Sequence, residues 1–261
     1  MATAKPGAEN NSTVEKISCT LRQFASQYPF ENLDVVTQNT MPITETFLFQ
    51  KFSQYRGGLC YELNPYLYLQ LKEEGYNVKL VSGTISNGNH WALDGTNVLI
   101  LLDLGDSLWL VDAGFGNQLA LSPIQIDGMA VSSAAGSFRA RRLQTPKGTH
   151  VLEMKSEEHW IIKYAFSLKE LPWEKLTDIK EQITFHEKSP FNSSPLIAQC
   201  FSDQTLSVTD KQMRVRFSKT GQQKLVKFND PIEFMKAVKT LFSNSIFEKT
   251  SEYMKKAEKH S

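Results

Sequence analysis

The sequence predicts an α+β fold. Helical periodicity dominates the first third, short β-type runs with turns between them fill the middle, and the last third mixes the two. At 261 residues, 41% of them hydrophobic, the chain can build a substantial core as one large domain or two to three small ones.

Taken in order, "TVEKISCTLRQFASQYPF" spaces Val14, Ile17, Leu21 and Phe24 at three- and four-residue steps. Thr13 is placed to cap that helix, Glu15 sits in its first turn and Pro29 ends it. The residues before Thr13 and the tail "KKAEKHS" are expected to be loose. "NPYLYLQLKEEG" reads as a second helix stopped by Gly75. Cys60, Leu63, Leu67 and Leu71 share one face of it, so a helix starting near Cys60 turns the thiol inward. Pro65 removes an amide donor there and is expected to kink the first turns. "NVLILLDL", "DSLWLVDAGF", "FRARRLQT", "HVLEMK" and "HWIIKYAFSL" read as consecutive strands, which points to an antiparallel sheet or barrel. "QTLSVTD" and "QMRVRFS" add two strands. "DPIEFMKAVKTLFSNSI" reads as one helix, with Asp230 as cap and Pro231 in first position. Residues 82–95 and 123–137 read as long loops that could line a site.

Lys and Arg total 29 against 28 Asp and Glu, which argues against a polyanion-binding surface as the main role, so no nucleic-acid partner is expected. Cys19, Cys60 and Cys200 are too few and odd in number for a disulfide framework and read as reduced thiols of a cytoplasmic protein. The polar start carries no apolar leader, and "NVLILLDL" is too short to span a bilayer, so no membrane role is expected. Cys and His are scattered singly, so no metal is expected.

The stretch with chemistry in it is "RGGLCYELN", residues 56–64. It sets Cys60 between a glycine pair and a helix, where free amides favour a thiolate. A catalytic thiol also needs a base, and a third group to orient that base. A buried structural cysteine is the plainer reading, since cysteine packs as a small hydrophobe. Arg56 and Glu62 are placed to pair beside the thiol, as part of a site or simply of the scaffold. The Lys-rich "KAVKT" and "YMKKAEK" read as solvated helix faces.

"RGGLCYELN" closely resembles the cysteine motif of the arylamine N-acetyltransferases. "PFENLDV" (residues 29–35) and "VDAGFG" (residues 111–116) resemble two further hallmarks of that family, and "HWIIKYAF" and "SPFNSSPLIAQ" are weaker matches. The likeness runs in order over most of the chain. It implies a three-part fold with a papain-like core: a helical bundle over 1–80 carrying the cysteine, a β-barrel over 81–186 carrying positions 97 and 112, and an α/β lid over 187–261. It implies acetyl transfer from acetyl-CoA to an arylamine or hydrazine through an acetyl-cysteine. Carried over, Cys60 is the nucleophile and Asp112 the orienting carboxylate. By the same carry-over Gly114, Phe115, Gly116 and Asn117 lie near the acyl donor and Phe115 helps form the aromatic acceptor pocket; Tyr61 and Trp91, read as large aromatics alone, either line a ligand pocket or simply belong to the core or its rim.

The family's histidine opens a strand about fifteen residues before the aspartate, just after a threonine. Here Thr96 is in place and Asn97 follows it. An amide has no proton-accepting nitrogen and cannot become a cation. If Asp112 takes a hydrogen bond from the Asn97 amide, the amide oxygen faces Cys60 and favours the protonated thiol. The expectation is therefore a family member with severely weakened chemistry or none. His90, in "SNGNHWALDG", is the candidate substitute base. The alternatives are a CoA- or aromatic-ligand-binding protein on the same fold, and a different acyl transfer on the same scaffold.

Overall fold

The computed structural model of the chain describes residues 6–88 and 90–258. The first segment is helical: α1 (Pro6–Gln27), a two-residue strand β1 (Phe30–Glu31), α2 (Leu33–Val36), α3 (Glu45–Ser53) and α4 (Cys60–Glu73). Helix α1 starts at Pro6, well ahead of the expected cap at Thr13. Proline costs no hydrogen bond at a first helical position, and Asn10 Nδ2 donates to Asp106 Oδ1 at 3.0 Å, anchoring the early turns. The rest of the expected loose ends, residues 1–5 and 259–261, lie outside the described residues. The inward face of α4 is as expected, with Leu63, Leu67 and Leu71 fully buried alongside Cys60. Pro65 sits inside this helix, and Gly75 ends it at φ +86°.

Eight strands follow: β2 (Val78–Ile85), β3 (Asn97–Asp103), β4 (Leu108–Val111), β5 (Ile124–Gln125), β6 (Val131–Ser133), β7 (Gly136–Thr145), β8 (Gly148–Ser156) and β9 (His159–Glu170). They form an antiparallel sheet in the order β5-β4-β3-β2-β9-β8-β7-β6. Beyond β5, the Asp127 N–H donates to Ala140 O of β7 at 2.9 Å, so the sheet curls almost into a closed barrel. Strand β3 is buried on both faces. Val98, Ile100 and Leu102 pack with the leucines of α4, while Leu99 and Leu101 join Phe138, Tyr164 and Phe166. Double burial explains why this strand reads as an unbroken apolar run. Of the two segments expected as long loops, the first gives its opening residues to β2 and the second contains β5 and β6.

The last part holds α5 (Lys175–Phe185), β10 (Leu196–Cys200), β11 (Gln204–Thr209), β12 (Gln212–Phe217), β13 (Gln223–Lys227), α6 (Pro231–Leu241) and α7 (Asn244–Glu258). Its sheet runs β1-β10-β11-β12-β13, so the short strand from the helical segment forms one edge, with Phe30 opposite Ala198 and Glu31 opposite Ile197. Asp230 caps α6 as expected, accepting from Glu233 N at 2.9 Å. The single helix expected here is two. Phe242 is extended, and Ser243 Oγ donates to Tyr55 O at 2.9 Å, turning the chain into α7. Phe234, Val238 and Ile246 bury α6 and α7 against Leu33, Ile197, Leu206 and Val208. The lysines of α7 are not all solvated: Lys256 Nζ donates to Thr37 O at 2.7 Å. The three-part α+β arrangement is present: helices, a barrel-like sheet, and a mixed lid. Among the described residues no helix is long and apolar enough to cross a membrane.

Candidate active site

Cys60 is the first residue of α4. Close backbone approaches surround its turn, one of Gly57 on Pro29 and one of Gly114 on Cys60 itself, which is why glycines stand at both places. A Cβ on Gly57 would lie 1.7 Å from Pro29 O, and one on Gly114 would lie 2.6 Å from the Cys60 Cα. The helix start favours a thiolate, but the surroundings of the sulfur work the other way. Cys60 is 7% exposed, and its Sγ donates to Thr96 O at 3.4 Å. A carbonyl oxygen stabilises the thiol and repels the thiolate. Burial is the largest cause pushing the thiol up, to about 12. The backbone amides of Val98 and Tyr61 pull it down, and the charge of Asp112 adds to the rise.

Under the helix start lies a buried ionic network. Glu62 Oε2 accepts from Leu59 N at 3.1 Å, fixing the turn before the cysteine, and Glu62 Oε1 accepts from Lys51 Nζ at 2.6 Å. Lys51 also meets Asp34 at 2.8 Å, and Arg56 binds Glu31 and Asp34 at 2.6 and 3.2 Å. The expected Arg56–Glu62 pair is therefore replaced: Arg56 reaches β1 and α2, and Lys51 of α3 takes Glu62. Burial works against each charge, yet the Lys51 ammonium is held well above its ordinary value by Asp34 and Glu62, and the Asp34 carboxyl well below its own by Lys51 and Arg56.

Asn97 opens β3 and is 3% exposed, and its Nδ2 is buried without a hydrogen-bond partner among the described residues. The expected bond from this amide to Asp112 is not made, because other donors already occupy the carboxylate. Asp112 Oδ1 accepts from Asn64 Nδ2 at 2.9 Å and Gly114 N at 2.8 Å, and Oδ2 accepts from the Tyr164 hydroxyl at 2.8 Å. Burial still raises the Asp112 carboxyl above its ordinary value, against these three donors. Asn64 also donates to Val98 O at 2.7 Å and accepts from Ala113 N at 2.8 Å, which locks α4, β3 and the segment after β4 together. Sequence reading missed Asn64 and Tyr164. The signal for Asn64 was its place at the end of "RGGLCYELN"; Tyr164 had none, since the barrel alone brings β9 to Asp112.

A cavity of about 250 Å³ opens on the sulfur. Cys60, Asn97, Gly114, Phe115, Gly116 and Asn117 all line it, and Phe30, Leu59 and Phe191 make much of the remaining wall apolar. Asp112 stands behind that wall. The other residues expected at the pocket are elsewhere. Tyr61 is fully exposed to neither solvent nor cavity, being 0% exposed in the core of the helical segment. Trp91 bridges to Ser86 outside the lining. His90 is exposed, its N–H bound to Asn87 Oδ1, on a turn that keeps it out of the cavity. Among the described residues no histidine lines this cavity. The arrangement can seat an apolar or aromatic group against a protonated thiol; turning that thiol into a nucleophile requires a base.

The N-acetyltransferase family model matches residues 13–249. An uncharacterized acetyltransferase of Bacillus subtilis is 43% identical over 182 residues, spanning 69% of this chain and 72% of that protein. The crystal structure of arylamine N-acetyltransferase C from Bacillus anthracis matches with TM-score 0.83 at 32% identity, covering 88% of this chain and 90% of its own. An arylamine N-acetyltransferase of Bacillus cereus, described as having a unique Cys-His-Glu catalytic triad, matches with TM-score 0.82 at 35% identity over 88% and 90% of the two chains.

Proposed function

Given that this chain belongs to the arylamine N-acetyltransferase family, we propose that it is a cytoplasmic member with acetyl-CoA as donor and an arylamine or hydrazine as acceptor, its turnover severely reduced or abolished by Asn97. In the reading we favour, Cys60 Sγ attacks the thioester carbonyl, a bond to sulfur forms and CoA leaves as the thiol, carrying the proton that Cys60 gives up. The acceptor nitrogen then attacks the acetyl-cysteine, loses a proton, and the Cys60 thiol re-forms. Phe115 and the apolar wall receive the aromatic ring. Asp112 keeps its orienting position but has no imidazole to orient, and the segment from Gly114 to Asn117 lies along the donor.

The observation that carries this reading is the state of the sulfur. It is buried, donates to Thr96 O, and has its thiol raised to about 12, with a neutral amide on the same cavity wall. Loss of a positioned base costs ~10²–10⁴ in rate. The Bacillus cereus relative is described with a Cys-His-Glu triad; this chain has Cys60 and Asp112, with Asn97 rather than a histidine on the cavity wall. The alternative reading is a CoA or aromatic-ligand binder with no turnover, favoured by the same protonated thiol in an apolar cavity.

Incubation with acetyl-CoA and intact-mass measurement separates the two. Slow gain of one acetyl group, located on Cys60 by peptide mapping and passed on when an arylamine is added, is the expected result. CoA binding by calorimetry with no mass gain supports the binder. Neither binding nor acetylation would overturn both.

A further inference from the structure

Asn97 carries a hydrogen-bond donor that the protein itself leaves unused. The residue is 3% exposed, and its Nδ2 is buried without a partner among the described residues. An orphaned buried donor bears its desolvation uncompensated, so such a group calls for a partner from elsewhere. The adjacent space can supply one, because Asn97 lines the same cavity as Cys60. Strand alternation puts its side chain on the face of Leu99 and Leu101. That face packs with Ile85 and Phe115, and both of these also line the cavity. The sulfur lies against the backbone on either side of Asn97: Cys60 Sγ donates to Thr96 O at 3.4 Å and is approached by the Val98 amide. Amide and sulfur therefore border one space. Cys60 is also the first residue of α4, so its own N–H has no acceptor inside the helix. A side-chain donor and a main-chain donor thus flank the place where a carbonyl carbon would meet the sulfur.

We propose that Asn97 Nδ2 donates a hydrogen bond to the oxygen of the acyl carbonyl that reacts at Cys60, and serves with the Cys60 N–H as an oxyanion donor. This deepens the acyl-transfer reading of Cys60 and rests on it, but not on the identity of the acyl donor. Hydroxide or a buffer base takes the thiol proton, Cys60 Sγ forms a bond to the carbonyl carbon, and the carbonyl π pair moves onto oxygen. The two N–H groups stabilise that negative oxygen. The pair then returns, the bond to the leaving group breaks, and the leaving group departs with its electrons as a thiolate or phenolate. An amide cannot make the thiolate, but it can speed the attack of whatever thiolate exists. No bond holds the Nδ2, so none has to break before it turns to an entering oxygen. The donor favours electrophiles that place charge on oxygen, esters and thioesters, over alkylating agents that do not.

Two rates at Cys60, read by intact mass and located by peptide mapping at pH 9, test this. Acylation by p-nitrophenyl acetate passes through an oxyanion, and its ring suits the apolar wall. Iodoacetamide reacts at a saturated carbon, where no charge develops on oxygen. Thiolate fraction enters both rates alike, so their ratio isolates the oxyanion. The proteins are the parent, Asn97→Leu, which has no donor, and Asn97→Asp, which keeps the shape and only accepts. Asn97→His is no control here, because the ring keeps an N–H to donate once it holds the thiol proton. The ratio of acylation to alkylation should fall ~10²–10³ in Asn97→Leu and at least as far in Asn97→Asp. Circular dichroism checks folding, and if one variant does not fold the other carries the test. A constant ratio, whether both rates hold or both fall, makes Asn97 structural only and overturns the assignment. Failure of p-nitrophenyl acetate to acylate Cys60 of the parent overturns it as well. If ester acylation depends on Asn97 while acetyl-CoA yields no acetyl-Cys60, the acetyl-CoA reading falls and the oxyanion donor stands.

Discussion

Asn97 and an imidazole differ most at neutral pH, where one can take a proton and the other cannot. Attack by Cys60 follows its thiolate fraction. With the folded thiol raised to about 12, that fraction is small at pH 7 and grows about tenfold per pH unit until the thiol is titrated. Alkylation of Cys60 by iodoacetamide, followed by peptide mapping, should therefore climb steadily from pH 7 to pH 10 without a plateau. The Asn97→His protein should plateau at lower pH, alkylate faster at pH 7, and transfer acetyl groups ~10²–10⁴ times faster. An unchanged rate at pH 7 would mean that position 97 is not where the base belongs. The place of Cys60 at the start of a helix could be read from its motif, and Asp112 is singled out by the family resemblance. The donors to Asp112 could not, because Tyr164 reaches it from a strand far away in sequence.

At the scale of elements, α4 depends on a charge network that no local pattern announces. Lys51 is buried because it serves Glu62 and Asp34 together, and each of these lies on a different helix. Lys51→Met should leave the buried Glu62 without its cation and Asp34 relying on Arg56, and cost ~3–5 kcal/mol, read as a fall in the urea midpoint. Adding Glu62→Gln to that variant should recover part of the loss. Where the approach is backbone against backbone the limit is steric. A Cβ at Gly114 meets the Cys60 Cα and Asn64 Nδ2, so Gly114→Ala should cost ~1–3 kcal/mol in a melt and displace the start of α4. Elements with strong periodicity or turn punctuation were legible in the sequence: α4, β3, β7, β8, β9 and the cap of α6. Strand β1 was not, because two residues become a strand only by pairing with β10. Strand β2 is not legible at all, and residues from Ser82 on read as loop, because Ser82, Gly83 and Thr84 carry no strand signal until β3 and β9 flank them.

At the scale of the molecule, the lid is joined to the helical segment by β1 and by the cluster in which Leu33 meets Ile197, Phe234 and Ile246. Ile246→Ala should cost ~2–5 kcal/mol, and the loss should appear in the same transition whether followed by far-ultraviolet dichroism or by the barrel tryptophans. Two separated transitions would show that the lid melts alone. The three-part division was readable as a change of pattern along the chain; the sharing of one sheet between the first and last parts was not. The distribution of thiols over this architecture also governs how any reagent reports on it. Cys60 and Cys200 are buried, whereas Cys19 is exposed on α1 with Arg22 Nη2 3.1 Å from its sulfur. The first mole of label, or the first glutathione adduct under oxidation, therefore belongs to Cys19, and a stoichiometry of one says nothing about the interior until that side chain has been replaced by serine.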